Sequence, residues 1–171
     1  MIMQQDEFFS LLDRTTEETL AQARSYSAET LSNAPESCWS PLQVFEHICL
    51  TEAMVSGLLQ RPTEEQHEHD EVHGASKLRH LIVGKREIKR TAPDRLQPRG
   101  EIGSLAAFEA RFTAQRDALK EAIRSGALKV DRRLFPHPAL GNMTVSDWLY
   151  FLVHHTERHV EQLKETTAMP A

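Results

Sequence analysis

Long apolar runs are missing from the 171 residues, and the opening MIMQQDEFFSLLDR carries neither a basic leader nor an uninterrupted hydrophobic stretch. No signal peptide and no membrane-spanning helix is expected, which points to the cytoplasm. Cysteine is almost absent too. Cys38 and Cys49 are too few for a disulfide framework and lack CxxC spacing, so both are read as reduced, packed thiols. An excess of positive charge is also wanting: the formal net charge is -5, which gives no general attraction to nucleic acid or to an anionic membrane.

Glycine (7) and tyrosine (2) are scarce, while leucine, alanine, glutamate, glutamine and arginine are plentiful. Few tight turns and many helix formers favour an all-α fold. With 40% hydrophobic and 26% charged residues, the chain suits a single domain over 1–171.

Four segments carry helical periodicity. Phe9, Leu12, Thr16, Leu20 and Ala23 share one face of a helix over roughly 6–32, ended by SNAP. In WSPLQVFEH, Ser40 is the expected N-cap, Pro41 the first helical residue and Gln43 the partner of a capping box, with the helix running to about Gln60. A third helix follows Ser104, with Leu105, Phe108, Phe112, Leu119 and Ile123 on one stripe and Gly126 as its stop. The fourth opens at GNMTVSDW, capped by Thr144 and Asp147, and continues to about Lys164. Between the second and third, residues 61–103 contain Pro62, Gly74, Pro93, Pro98 and Gly100. That is too long for a bundle turn, so a crossover with a short helix near KLRHLIVGKREIK is expected.

Histidine is the residue the pattern does not explain. On a helical wheel starting at Val145, the residues Trp148, Leu149, Leu152, Val160 and Leu163 fall within about 60° of one direction. His159 lies inside that arc, His155 on its edge and His154 on the opposite side, which makes His154 a surface residue. His155 and His159 are an i,i+4 pair whose imidazoles can converge on one ion. On the second helix His47 borders the stripe of Val44, Ile48 and Val55, and Glu52 also faces inward. Buried polar groups need partners. A divalent metal would supply one; hydrogen bonds to carboxylates or backbone carbonyls are the other possibility.

WSPLQVFEHICLTE, followed much later by PHPALGNMTVSDWLYFLVHHTERHVEQL, resembles the DinB-like (DinB/YfiT) family of metal-dependent proteins over essentially the whole chain. The resemblance implies a four-helix bundle with a long crossover between helices 2 and 3, running up-down-down-up. It also implies a metal held by His47, His155 and His159. Three neutral nitrogen ligands leave a coordination position open, and their softness favours zinc or nickel over magnesium or calcium.

The activity implied is transfer or hydrolysis of a small-molecule substrate by a metal-activated water or thiol, with a low-molecular-weight thiol as cosubstrate. Glu52 would orient a ligand histidine or accept a proton; alternatively it is a buried acid paired with Arg or Lys. A homodimer is implied by the resemblance, with no nucleic-acid or membrane partner. Two other readings stay open, a non-catalytic or stress-associated bundle with a structural metal site, and a dimerising helical protein with metal-free histidines.

The remaining features read more plainly. His67, His69 and His73 lie among acids that look solvated. Lys77, Arg79, Lys85, Arg86, Lys89 and Arg90 lack interleaved aromatics and form a charged solvent face. His137 is expected to fix the loop before the last helix, and Trp39 and Trp148 to pack in the core or at helix ends.

Overall fold

The computed structural model describes residues 4–167. Four long helices make the bundle: α1 (Gln5–Arg24), α3 (Pro41–Leu58), α5 (Leu105–Ser125) and α6 (Val145–Thr167). The short helices α2 (Ala28–Ser32) and α4 (Ala75–Arg79), a π turn at His80–Gly84, a 3-10 turn at Asp94–Leu96 and the hairpin β1 (Leu134–His137) and β2 (Gly141–Thr144) complete the described elements.

Helix directions follow from cross-contacts. Arg24 meets Glu109 and Lys120 meets Asp13, so α1 and α5 are antiparallel. Phe45 stacks on Phe108 and Glu52 pairs with Arg116, so α3 and α5 run parallel. Phe8 meets Tyr150 edge-on, while Leu20 and Leu163 share a cluster at the other end, so α1 and α6 are parallel. The order is up-down-down-up, and the long crossover between α3 and α5 is what allows those neighbours to point the same way.

The expected caps are present. Ser40 Oγ accepts from Gln43 N–H while Gln43 Oε1 accepts from Ser40 N–H. Ser104 Oγ accepts from Ala107 N–H, and Gly126 closes α5 in the left-handed region at φ 82°, where a Cβ would be strained.

Some expectations require correction. The first helix is two: α1 stops at Arg24, and Ser27 caps α2 by accepting from Thr30 N–H. A serine side chain that satisfies the backbone locally competes with continued helix. A hairpin precedes α6, with Phe135 paired opposite Met143 and both buried, as is Thr144 where β2 runs into α6. Its strands are four residues each, too short to announce themselves in the sequence. The acidic stretch before α4 is anchored, not loose. His67 N–H donates to Arg132 O, Arg132 pairs with Asp70, and Asp147 accepts from the N–H groups of Val72, His73 and Gly74.

Two apolar clusters fill the bundle. One holds Phe8, Leu12, Val55, Leu119, Trp148 and Leu152; the other holds Leu20, Phe45, Ile48, Phe108, Phe112 and Leu163. A polar layer lies among these helices. Arg116, 2% exposed, forks onto both oxygens of Glu52 at 2.8 and 2.6 Å and also reaches Leu12 O and Thr15. Thr156 Oγ1 donates to Glu52 at 2.6 Å, tying α6 into the same layer.

Candidate metal centre

His47 sits in the second turn of α3, and His155 and His159 lie one turn apart on α6. The antiparallel packing of these helices brings the three rings together, with centroids 5.0 Å apart for His47 and His155, 4.8 Å for His47 and His159, and 4.6 Å for His155 and His159. His155 Nε2 lies 3.2 Å from His47 Nε2 and 3.2 Å from His159 Nε2. Two nitrogens bound tetrahedrally to one zinc at 2.0–2.1 Å would be about 3.3 Å apart. Among the described residues, this is the group whose ligand atoms converge in this way, all within 4.8 Å.

Neutral rings leave the cluster with lone pairs to offer a cation. His47 Nδ1 lies 2.6 Å from Leu96 O; a carbonyl only accepts, so Nδ1 carries the proton and Nε2 presents a lone pair. Burial lowers the His47 pKa, with the Leu96 hydrogen bond pulling the other way. Burial, then the neighbouring His159 and His47, holds His155 well below the ordinary histidine value. His159 is pushed down to about 3, first by burial, then by His47 and Arg158, against a hydrogen bond with Gln162 that favours the protonated ring. Three neutral imidazoles therefore face one another, and the Nε2 of His155 can donate a proton to only one neighbour at a time. Its Nδ1 is buried without a hydrogen-bond partner. The donor set and spacing fit a divalent transition metal.

Aromatic rings wall the group. Trp39 lies 5.1 Å from the His47 ring and Phe151 5.5 Å from that of His155. Beyond Phe151 stands His137, 4.9 Å away, whose Nδ1 accepts from the N–H groups of Ala139 and Leu140. That bonding pins the turn before α6, and burial, then Arg90 and His73, pushes the His137 pKa down to about 4. Arg158, between the two α6 histidines, gathers the carbonyls of Ile82 at 2.9 Å and Ile88 at 2.6 Å.

Other singled-out residues fall elsewhere. Glu52 is the acid of the Arg116 pair, the ion-paired arrangement named above, and both of its oxygens are engaged there. His154 is not a surface residue: it is 3% exposed, bonds Glu157 through Nδ1 at 2.9 Å and lies parallel to Tyr150. A wheel assumes one covered face, whereas α6 is packed by α1 and α3 and also by α4 and the π turn. His73 is half-buried, with Nε2 2.9 Å from Leu140 O, while His69 is exposed. Trp148 is in the core and donates to Phe135 O; Cys38 is exposed and Cys49 buried, its thiol pushed up to about 12 chiefly by that burial. Arg79 and Arg86 of the basic stretch pair with Glu157 and Glu165.

Sequence reasoning missed Glu46 and the Leu96 carbonyl. Glu46 had a signal, since it shares the i, i+4, i+7 face of Leu42 and Cys49; a backbone acceptor from the crossover had none.

The family model of the DinB superfamily matches residues 3–163. The uncharacterized protein YuaE of Bacillus subtilis (strain 168) is 26% identical over 157 residues, which is 91% of this chain and 94% of YuaE. Two solved structures share the fold. TT2238, a four-helix bundle protein, aligns with a TM-score of 0.59 at 24% identity, covering 94% of this chain and 98% of its own. YfiT from Bacillus subtilis, described as a probable metal-dependent hydrolase with an unusual four-helix bundle topology, aligns with a TM-score of 0.58 at 14% identity, over 98% of this chain and 89% of YfiT.

Proposed function

Because the chain belongs to the DinB superfamily, we propose that it is a metalloenzyme in which His47, His155 and His159 hold zinc or nickel and act on a small-molecule substrate. The observation that carries this is the convergence of the three histidines, with His155 Nε2 3.2 Å from the Nε2 of both His47 and His159 and one ligand nitrogen from each within 4.8 Å of the others. Three ligands leave at least one position for water, thiol or substrate, the pattern of a catalytic site. When bound, the ion lowers the pKa of a coordinated water or thiol and so supplies a nucleophile near neutral pH. Transfer from a low-molecular-weight thiol and hydrolysis are the two reactions compatible with that, and the description of YfiT supports the second.

The chain's own residues do the rest. Burial keeps the imidazoles of His155 and His159 neutral, so their lone pairs are available at pH 7. Trp39 and Phe151 exclude water from the flanks of the triad. Glu52 serves by tying α3 to Thr156, the residue after His155, so its contribution is to position the centre and not to move a proton.

The second reading, a structural metal site, draws on the bridging of α3 and α6 by the same three side chains. Metal analysis of protein purified without chelator or nickel resin tests the ligand assignment: about one metal per chain is expected, falling to near zero in His159→Ala. Unchanged metal content in that variant sinks it. Thiol donors screened against model electrophiles then separate enzyme from structural site, since activity must vanish on metal removal. The family-implied homodimer is checked by light scattering, where a monomeric mass would exclude it. None of the described helices is long and apolar enough to cross a membrane, in keeping with a small-molecule substrate taken from solution.

A further inference from the structure

Two consecutive residues of α3 grip the same piece of the crossover. Glu46 is 1% exposed, and its two oxygens accept from the N–H groups of Arg99 and Ile102, the latter at 2.8 Å. His47 donates through Nδ1 to the carbonyl of Leu96 at 2.6 Å. Both ends of this strap, Leu96 and Ile102, are buried. Among the described residues no cation pairs with Glu46, and its carboxylate is taken out of water to be answered by backbone N–H groups. Burying a charge for packing alone is costly compared with an apolar residue of similar size. The return is that a carboxylate, with two acceptor oxygens and no donor, can hold two backbone N–H groups at once.

We propose that Glu46 is a positioning residue of the metal centre, clamping residues 99–102 so that the Leu96 carbonyl fixes His47 in its Nδ1–H form with Nε2 aimed at His155 and His159. This rests on the three-histidine reading. It adds a requirement that reading does not contain: the crossover strap must be held for the α3 ligand to present the correct nitrogen, since the partner of one imidazole nitrogen decides what the other can bind. Without the clamp the Leu96 carbonyl is held only by its own 3-10 turn and buried side chain, and His47 is freer to rotate or to carry its proton on Nε2, where it would block a metal.

The test uses nitrogen-15 NMR of the full-length, metal-free protein, followed by zinc titration against a chromophoric chelator. Wild type should show His47 as the neutral Nδ1–H form, with slowly exchanging amides at Arg99 and Ile102. Glu46→Gln replaces one acceptor with an NH2 donor, so one strap amide loses its partner. The strap amides should then exchange at least about tenfold faster, the fixed His47 signature should be lost, and zinc affinity should fall by about ten- to a hundredfold. Glu101→Gln, an exposed change on the same strap, should leave all three readouts at wild-type values.

Zinc affinity in Glu46→Gln within twofold of wild type, with the strap amides loosened, would overturn the proposal. A wild-type His47 found with its proton on Nε2, or unprotected strap amides, would do the same even if the variant failed to fold. Failure of wild type to bind zinc would instead remove the metal reading, while the NMR result would still report on whether the clamp sets the His47 tautomer.

Discussion

Arg116 and Glu52 are both within 3% of complete burial, and each is the other's charge partner. Removing one leaves the other charged in the core, which costs far more than the pair contributes. Arg116→Met should lower stability by about 3–5 kcal/mol in urea unfolding. Adding Glu52→Leu should recover much of that loss, and a double variant no more stable than Arg116→Met would show that the two are not coupled. The histidines make a separate prediction at this scale. The folded pKa of His159 is about 3 and that of His137 about 4, both below the ordinary unfolded value of about 6.5. Between those limits the unfolded chain binds more protons, so stability rises with pH there. The metal-free protein should therefore hold the full contribution of these groups above pH 6.5 and lose it progressively as the pH falls toward 3. His159→Leu should flatten the slope of urea midpoint against pH in that window; an unaltered slope would show that His159 is not neutralised by folding.

At the scale of the element, Asp147 joins three pieces of chain. It caps α6 together with Thr144, and its carboxylate accepts from Val72, His73 and Gly74 in the stretch leading to α4. Asp147→Ala strips the cap and orphans several N–H groups, so a loss of roughly 3 kcal/mol is expected, with faster hydrogen exchange at Val72 and Gly74. A loss confined to the frayed first turn of α6 would contradict the anchoring role. Helix ends were the part of the fold most legible in advance, because Ser40 with Gln43, Ser104, Gly126 and Thr144 with Asp147 act through chemistry a few residues away. The hairpin was not legible because its strands are only four residues each, and the anchoring of residues 66–74 was not legible because their partners lie some 60 to 75 residues off in sequence. The same distinction runs through the candidate site. A wheel sees which way His155 and His159 point on their own helix, but whether a further element such as α4 also packs on that helix, leaving His154 buried, depends on another segment's path.

Across the whole molecule, the bundle combines apolar clusters with a polar layer and a histidine group that bridges two antiparallel helices. A bound metal would tie α3 to α6 and stabilise the folded state by an amount that grows with the logarithm of free metal concentration. Zinc at a hundredfold excess over its dissociation constant should add about 2.7 kcal/mol, read as a rise in melting temperature. His47→Ala should abolish the rise. A rise of the same size in that variant would locate the binding elsewhere.

His47 and His155 stand 108 residues apart in sequence yet touch in the fold. A ribosome adding about 5–20 residues per second extrudes the first of them roughly 5 to 20 s before the second. For that interval the growing polypeptide offers only one imidazole of the triad, and all three exist together only once α6 has been made. An ion held by this triad would therefore be loaded only after α6 has emerged, and a chain interrupted before α6 would have no means of retaining it there.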